Sequence, residues 1–583
     1  MAMKNITYKV PENNKEVFVE PAIDRISDMV LANRQKISDY KFEINGIPFQ
    51  ALRNKLREEL LHKAAQYTNG IKSLLREQSR HGQTSLSTPP SNKQLSIEIS
   101  QHQDELHVKG QSLNYESIKN IPIIQTGHEP ILCHPGVWIK NHLIQYLAKK
   151  LDGIGVNMIV DNDACNMGFM YVPILYEKPS YVQKVMLVNN MDNTAYEEIV
   201  FDNIEMILRF KKDVLNILKI NTFDTNVRTT YECMQTMFKE FINNVVEYYQ
   251  CGCADMVGLL TAARRALEEG VGIENLEIPV SWMCDTDEFY HFFLHILNRA
   301  NQFAITYNKK LAEYRIIHKI RSKANPLPDL KIAGNLVELP FWIWKVGGQR
   351  DRCYILNDGE FIKITNNKDI LVTIKKNDEF EKNVSTLRAS IGTSIKIRPR
   401  AITTTMFSRL FFSDVFIHGI GGAKYDIITD EIIREFFGVE PPAFATISST
   451  LFLPFNTFDA SIKELQWLEQ VVNDMRYNPE RYASKAARKD ADFINRVEEK
   501  QRLLKMINVC NKDEKRQYFN QIKDLNRLLL TQINTELQNK QREINKIRND
   551  LVYNEVVRFR EYPVFIYPMK VLREYFLSVF SSA

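Results

Sequence analysis

The densest chemistry in this chain lies in IPIIQTGHEPILCHPGVWIKNHLIQYLAKKLDGIGVNMIVDNDACN, residues 121 to 166. Ile121 to Ile124 is apolar enough for a buried strand, Thr126 and Gly127 break it, and Pro135-Gly136 precede a helical pattern at Val137, Ile139, Leu143, Ile144 and Leu147. A second strand, Val156 to Val160, ends in Asp161-Asn162-Asp163. Successive strands of a parallel sheet place their carboxyl ends on one edge, so Thr126, Gly127, His128, Asp161, Asn162 and Asp163 are expected around one ligand crevice. Donors at Gly127 and His128 suit phosphate charge. Asp161 or Asp163 suits holding magnesium, orienting an amine or accepting its proton. His128 and His134 occupy the loop between strand and helix and are candidate phosphate donors, although a loop histidine is more often a cap or a surface residue.

A second stretch, SIKIRPRAITTTMFSRLFFSDVFIHGIGGAKYDIITDEIIREFF (394 to 437), repeats the organisation. Asp414 to Ile417 reads as a short strand, His418-Gly419-Ile420-Gly421-Gly422 as a glycine loop, and a helical pattern opens near Tyr425. Glycines let backbone approach a ligand closely and present N–H groups beside a positive helix end, which suits phosphate or carboxylate.

Taken in order, Thr126-Gly127-His128-Glu129, Val160-Asp161-Asn162-Asp163, Arg398-Pro399 and Ile420-Gly421-Gly422 resemble the motifs of the cysteine-adding enzymes of bacillithiol synthesis, the BshC family. The likeness covers roughly residues 115 to 440. That family's first loop commonly reads Thr-Gly-Gln-Gln and its acidic cluster Glu-Asp-His-Asp, so this chain keeps two acids and lacks the Glu and the His. The resemblance implies a Rossmann-like core and an amide-forming reaction between the carboxyl of cysteine, or a similar amino acid, and the amine of an amino-sugar conjugate. Activation through ATP, with ADP or magnesium in the site, is the corresponding cofactor expectation. Site residues carried by it are His128, Asp161 and Asp163 for catalysis, and Thr126, Gly127, His134, Asn162, Arg398, His418, Gly421 and Gly422 for binding. Two other readings stand beside it. His134-Pro135-Gly136 partly matches the His-x-Gly-His signature of nucleotidyl and adenylyl transferases but lacks the second His. A non-catalytic assembly protein that only binds a metabolite is the other.

The elements that must hold these residues can be placed along the chain. Residues 1–115 read as a helical lead-in and a linker, with composition from Glu77 to Gln94 too polar to bury. Residues 116–203 form the first half of an α/β core and 204–335 a helical insertion, whose aromatics Phe289, Phe292 and Phe293 step with Ile296 as core packing. Residues 336–460 carry an antiparallel meander, with turns at Gly347-Gly348 and Asp358-Gly359, and the second half of the core. Arg350 and Arg352 alternate on one meander strand and could grip an anion. Residues 461–583 read as long coiled-coil helices and a tail, with an apolar stripe at Ile522, Leu525, Leu529, Ile533, Leu537, Ile544, Ile547 and Leu551. That stripe outruns the preceding helix at Phe493 to Ile507, and a homodimer is expected to cover it.

Length and composition agree. With 583 residues, 44% hydrophobic and 25% charged, several domains are expected. A net charge of +5, from 76 basic and 71 acidic residues, carries no nucleic-acid footprint. No run is long and apolar enough to span a membrane and no signal opens the chain, so a cytoplasmic protein without nucleic-acid or membrane partners is expected. Eight scattered cysteines form no Cys-x-x-Cys pair. Cys251, Cys253, Cys284 and His291 miss the usual zinc spacings, so no metal site is assigned. Cys133 beside His134 is a candidate nucleophile, but neighbours in sequence rarely point at each other.

Overall fold

The computed structural model describes residues 7–78, 106–108, 111–113, 115–189, 193–220, 224–322, 324–376, 378–509 and 511–581. The greater part of the expected linker, from 79 to 94, and Cys510 lie outside the described residues. The chain divides into two compact units: 1–172, 184–453 and 560–583 form the first, and 173–183 with 454–559 the second.

Along the first unit run β1 (Val17–Glu20), α1 (Ile23–Ser38), α2 (Phe49–Gln78), β2 (Ile123–His128), α3 (Pro135–Lys150) and β3 (Ile154–Ile159). Helices α4 (Glu205–Leu218), α5 (Thr225–Gln250) and α6 (Met256–Glu269) lead to β4 (Leu276–Pro279), then α7 (Asp287–Asn298) and α8 (Ala300–Ile317). The meander strands follow: β5 (Ile332–Ala333), β6 (Leu336–Lys345), β7 (Asp351–Asp358), β8 (Phe361–Thr365), β9 (Ile370–Lys375) and β10 (Ile395–Pro399). The unit closes its sheet with α9 (Ala401–Phe407), β11 (Val415–His418), α10 (Ile420–Ile432) and β12 (Ala445–Ser449).

The central sheet has the order β1-β12-β11-β2-β3-β4, parallel throughout except for the β1 edge. From β2 the chain proceeds outward through β3 to β4 on one side, while β11 and β12 lie on the other. The order therefore reverses between β2 and β11, the position at which open α/β sheets bind ligands. The fold is the expected α/β class, with a parallel core and an antiparallel second sheet in which β10 pairs with β6, setting Arg398 opposite Trp342.

Three boundaries differ from the sequence reading. Thr126-Gly127-His128 does not break the first strand: all three pair in register with Asn157, Met158 and Ile159, so β2 runs on to His128. The expected glycine loop, by contrast, is no loop; Gly421 and Gly422 form the first turn of α10, which opens at Ile420 rather than near Tyr425. The segment 204–335 is also more than a helical insertion, because β4 within it completes the sheet edge, where a strand ending in Pro279 loses no ladder bond on its open side.

Burial explains the rest of the first unit. Phe289, Phe292, Phe293 and Ile296 are fully buried in one core that spans both sheets. Asp414, entering β11, accepts from Arg53 and Arg57 and pairs with Arg34, and the Ile123 amide bonds its other oxygen. Burial would raise its pKa, but the three arginines hold it below the ordinary carboxylate value. Residues 560–583, expected to be part of the C-terminal helical region, belong to the first unit: Phe565 stacks on Phe241 at 3.8 Å and the Tyr567 hydroxyl donates to Leu451 O at 2.7 Å.

The second unit is helical, with α11 (Ile462–Tyr477), α12 (Ala491–Met506), α13 (Lys512–Thr531) and α14 (Asn534–Val557). Its apolar stripe is interrupted at Ile533, and each part is covered from within the unit. Leu503 and Ile507 cover Ile522, Met475 and Phe493 cover Leu529 and Ile533, and Leu468 and Val472 cover Ile544 and Ile547. The sequence reading gave α11 no part in this packing, and left the remaining stripe to the α/β core or a second subunit, with the homodimer favoured. Among the described residues, no helix is long and apolar enough to cross a membrane.

Candidate functional site

A cavity of about 540 Å3 opens in the first unit at the carboxyl edge of the parallel strands, where the strand order reverses. That is an ordinary volume for a small-molecule site. Its floor comes from the ends of β2, β3 and β11, and its walls from the first turns of α3 and α10 and from Arg400 ahead of α9.

Two helix starts meet here and differ in chemistry. At α3 the neutral His134 caps the helix, with Nδ1 accepting the Gly136 amide at 3.1 Å, so the ring carries its proton on Nε2. A methyl group on Gly136 would lie 2.4 Å from Ser449 O, which is why the chain needs glycine there. At α10 no side chain caps the start, and a Cβ added to Gly419 or Gly421 would meet nothing within 4 Å. Gly422 is different: a Cβ there would stand 2.7 Å from His418 Nδ1. The first turn of α10 thus offers backbone N–H groups and a positive helix end to open space.

Cationic side chains surround that space. Lys140 projects from α3, only 3% exposed, and donates from Nζ to Gly127 O at 2.7 Å, leaving two further ammonium donors. Burial pulls its pKa down to about 8. Arg560 donates to Ser449 O at 3.2 Å, and its buried Nε has no partner. Arg400 reaches Glu338 with Nη1 at 2.9 Å, stacks on Trp342 and leaves Nε and Nη2 without partners. Buried donors of this kind cost stability unless something accepts from them.

The acidic side of the cavity is carried by Glu129 and Asp163. Asp163 accepts from Arg350 Nη1 and from the Ala164 amide, at 2.9 and 2.8 Å. Glu129 accepts only the Tyr196 hydroxyl, at 3.3 Å, and has no ion pair within 4 Å among the described residues. Burial and then the charge of Asp163 raise its pKa to about 7. In the same lining the Asn162 side chain, 3% exposed, donates to Pro399 O while its Oδ1 has no partner among the described residues.

The structure thus brings Gly127, His128, His134, Asn162, Asp163, His418, Gly421 and Gly422 to one cavity. Burial lowers His128 and His134 to about 3, so both rings are neutral and act as hydrogen-bonding groups. His418 is held by Asp426 at 2.8 Å, which Arg409 and Thr405 fix in turn.

Three expected residues do not line it. The Thr126 hydroxyl donates to Ile417 O, tying β2 to β11. Asp161 turns to the Ser281 amide and hydroxyl at the end of β4. Arg398 forms a two-point ion pair with Glu197, at 2.9 and 3.0 Å. Asp161 and Asn162 lie in the turn after β3, where Asn162 takes the cavity side, and Arg398 faces Glu197 from within β10, whereas Arg400 lies past the end of that strand at the start of α9 and reaches the cavity. Arg352 pairs with Glu338. Cys133 is buried and its thiol is pushed up to about 12, which removes the thiolate a nucleophile needs.

Four charged lining groups escaped the sequence reading: Glu129, Lys140, Arg400 and Arg560. Lys140 had a signal, since it sits between Val137 and Ile144 on a face of α3 that is otherwise apolar. Glu129 and Arg400 adjoin motif residues. Arg560 had none, because it reaches the cavity from beyond the second unit's helices in sequence.

The donor set fits phosphate better than it fits a divalent cation. Asp161 and Asp163 are engaged, and among the described residues no group of three or more His, Cys, Asp or Glu side chains converges on a metal position. No protein-family model matches the chain, and no curated protein matches it either.

Proposed function

We propose that this cavity binds the phosphate groups of an adenine nucleotide, and that the chain is a carbon–nitrogen ligase resembling the cysteine-adding enzymes of bacillithiol synthesis. The observation that supports it is the uncapped first turn of α10 facing Lys140, Arg400 and Arg560 across one cavity. In this reading the amides of Ile420, Gly421 and Gly422 and the three cations hold phosphate oxygens, and His134 Nε2 adds a neutral donor. ATP supplies activation of a carboxylate, which at neutral pH otherwise resists attack by an amine. The enclosing cavity excludes water that would hydrolyse an activated acyl group.

Magnesium has no part in this reading, because the carboxylates offered for it are already paired. Cysteine and an amino-sugar conjugate are the substrates to try first. Thermal melting with millimolar ATP tests the binding half: a rise in Tm is expected, and no rise with or without magnesium overturns the reading. Incubation with ATP, cysteine and glucosamine-based acceptors, followed by mass spectrometry, tests the ligase half through an amide-linked product and ADP or AMP.

A further inference from the structure

We propose that Glu129 is the group in this cavity that receives a substrate amine, giving up its own proton as the ammonium arrives. The inference rests on the phosphate-binding reading and assigns the opposite wall of the same cavity. Sequence alone pointed to Asp161 or Asp163 for this role. Asp161 is bound to Ser281 outside the lining, and Asp163 is neutralised by Arg350. Glu129 is the remaining lining carboxylate among the described residues, with one hydroxyl bond and no counter-charge in contact.

A second observation points the same way. Asn162 lines the same cavity, is nine-tenths and more buried, and its Nδ2 bond to Pro399 O leaves an acceptor, Oδ1, without a donor among the described residues. A partnerless acceptor and a carboxylate without a counter-charge in the lining of one cavity call for a ligand with several N–H bonds, and a primary ammonium has three. The cavity is then bipolar: donors at α10, Lys140, Arg400 and Arg560, acceptors at Glu129 and Asn162. It fits a ligand that carries a phosphate or carboxylate together with an amine.

The groups around Glu129 set its proton affinity. Asp163, from the loop after β3, raises it, while Arg350 from the meander and the Tyr196 hydroxyl lower it. Cys165 and Tyr425 also feel its charge. With a pKa of about 7, Glu129 is roughly three-quarters protonated at pH 6.5 in the free protein. An ammonium beside it favours the ionised form, so amine binding at that pH releases a proton.

The test is isothermal titration of the full chain at pH 6.5 with O-phosphoethanolamine and with ethyl phosphate, in two buffers of different ionisation enthalpy. The two probes share the anion and differ in the amine. Expected are at least fivefold tighter binding of phosphoethanolamine, with proton release beyond that which the phosphate of ethyl phosphate itself gives, and loss of both the margin and the excess release in Glu129→Gln, which keeps its ethyl phosphate affinity. Equal wild-type affinities, or a margin that survives in Glu129→Gln, overturn the assignment and leave the phosphate site standing. If ethyl phosphate fails to bind while phosphoethanolamine binds with proton release, the phosphate reading falls and the amine assignment holds. If neither binds, both fall. The comparison of probes on the wild-type chain needs no variant to fold.

Discussion

Glu129→Gln also makes a stability prediction that needs no ligand. In the folded chain the carboxyl binds its proton up to about pH 7, against an ordinary value of 4.5. The folded state therefore holds a proton that the unfolded chain has lost between those two values, and stability falls as pH rises through that window. Below about pH 4.5 the contribution is fully present; above about pH 7 it is gone. At about 1.4 kcal/mol for each tenfold change in proton affinity, the whole effect is at most about 3 kcal/mol, less whatever solvent reaches the partly exposed side chain. Glutamine has nearly the same shape and never ionises. Glu129→Gln is expected to match wild type near pH 4.5 and to be more stable by about 2 to 3 kcal/mol at pH 8. Urea unfolding followed by tryptophan fluorescence measures this, because four of the five tryptophans lie in the first unit. A margin that stays flat from pH 4.5 to 8, or a variant less stable at pH 8, refutes the argument from desolvation.

Lys140→Met removes a charge from the phosphate side and should weaken ATP at least about tenfold by titration calorimetry, a loss in the range of one charge-assisted hydrogen bond. Asp414→Asn leaves Arg53 and Arg57 buried without their counter-charge and should cost about 3 to 5 kcal/mol in urea unfolding. The double change Leu529→Asp and Ile533→Asp puts two charges into a packed cluster of the second unit, so far-UV circular dichroism should show lost helix while light scattering shows an unchanged mass. A variant that keeps its helices but halves its mass would instead make this stripe a dimer interface.

The sheet and its ligand edge were legible because buried parallel strands leave apolar runs followed by polar ends, as at Ile123 to Asp163. Eight of the eleven residues singled out reach the cavity for that reason. The failures have physical causes. Of the neighbours Asp161 and Asn162 in the turn after β3 only Asn162 lines the cavity, a one-residue distinction that sequence does not fix, and Arg400 reaches it in place of Arg398 because β10 has ended at Pro399. β4 escaped because four residues with Glu277 and Pro279 carry no strand pattern, and its glutamate is tolerated through Arg264, Arg265 and Asn157. Glycines at Gly421 and Gly422 read as a loop, whereas their role is to start a helix against His418 and open space. The partner of the C-terminal stripe was missed because α11 and α14 meet across some 80 residues of sequence, a distance no local periodicity reports.

The strand order has a consequence for synthesis. β2 and β3 leave the ribosome early, but the strand that pairs with the other side of β2 is more than 280 residues away, and β1 must wait for β12. Until Asp414 is made, Arg53 and Arg57 have no counter-ion, so α2 cannot dock in its final place. A nascent chain therefore carries an open, apolar strand edge until β11 is made, and the two walls of the cavity come together only when α10 follows it. Arg560 joins the lining only after all of α11 to α14 has been made, so the cavity gains its last cation after the whole helical unit.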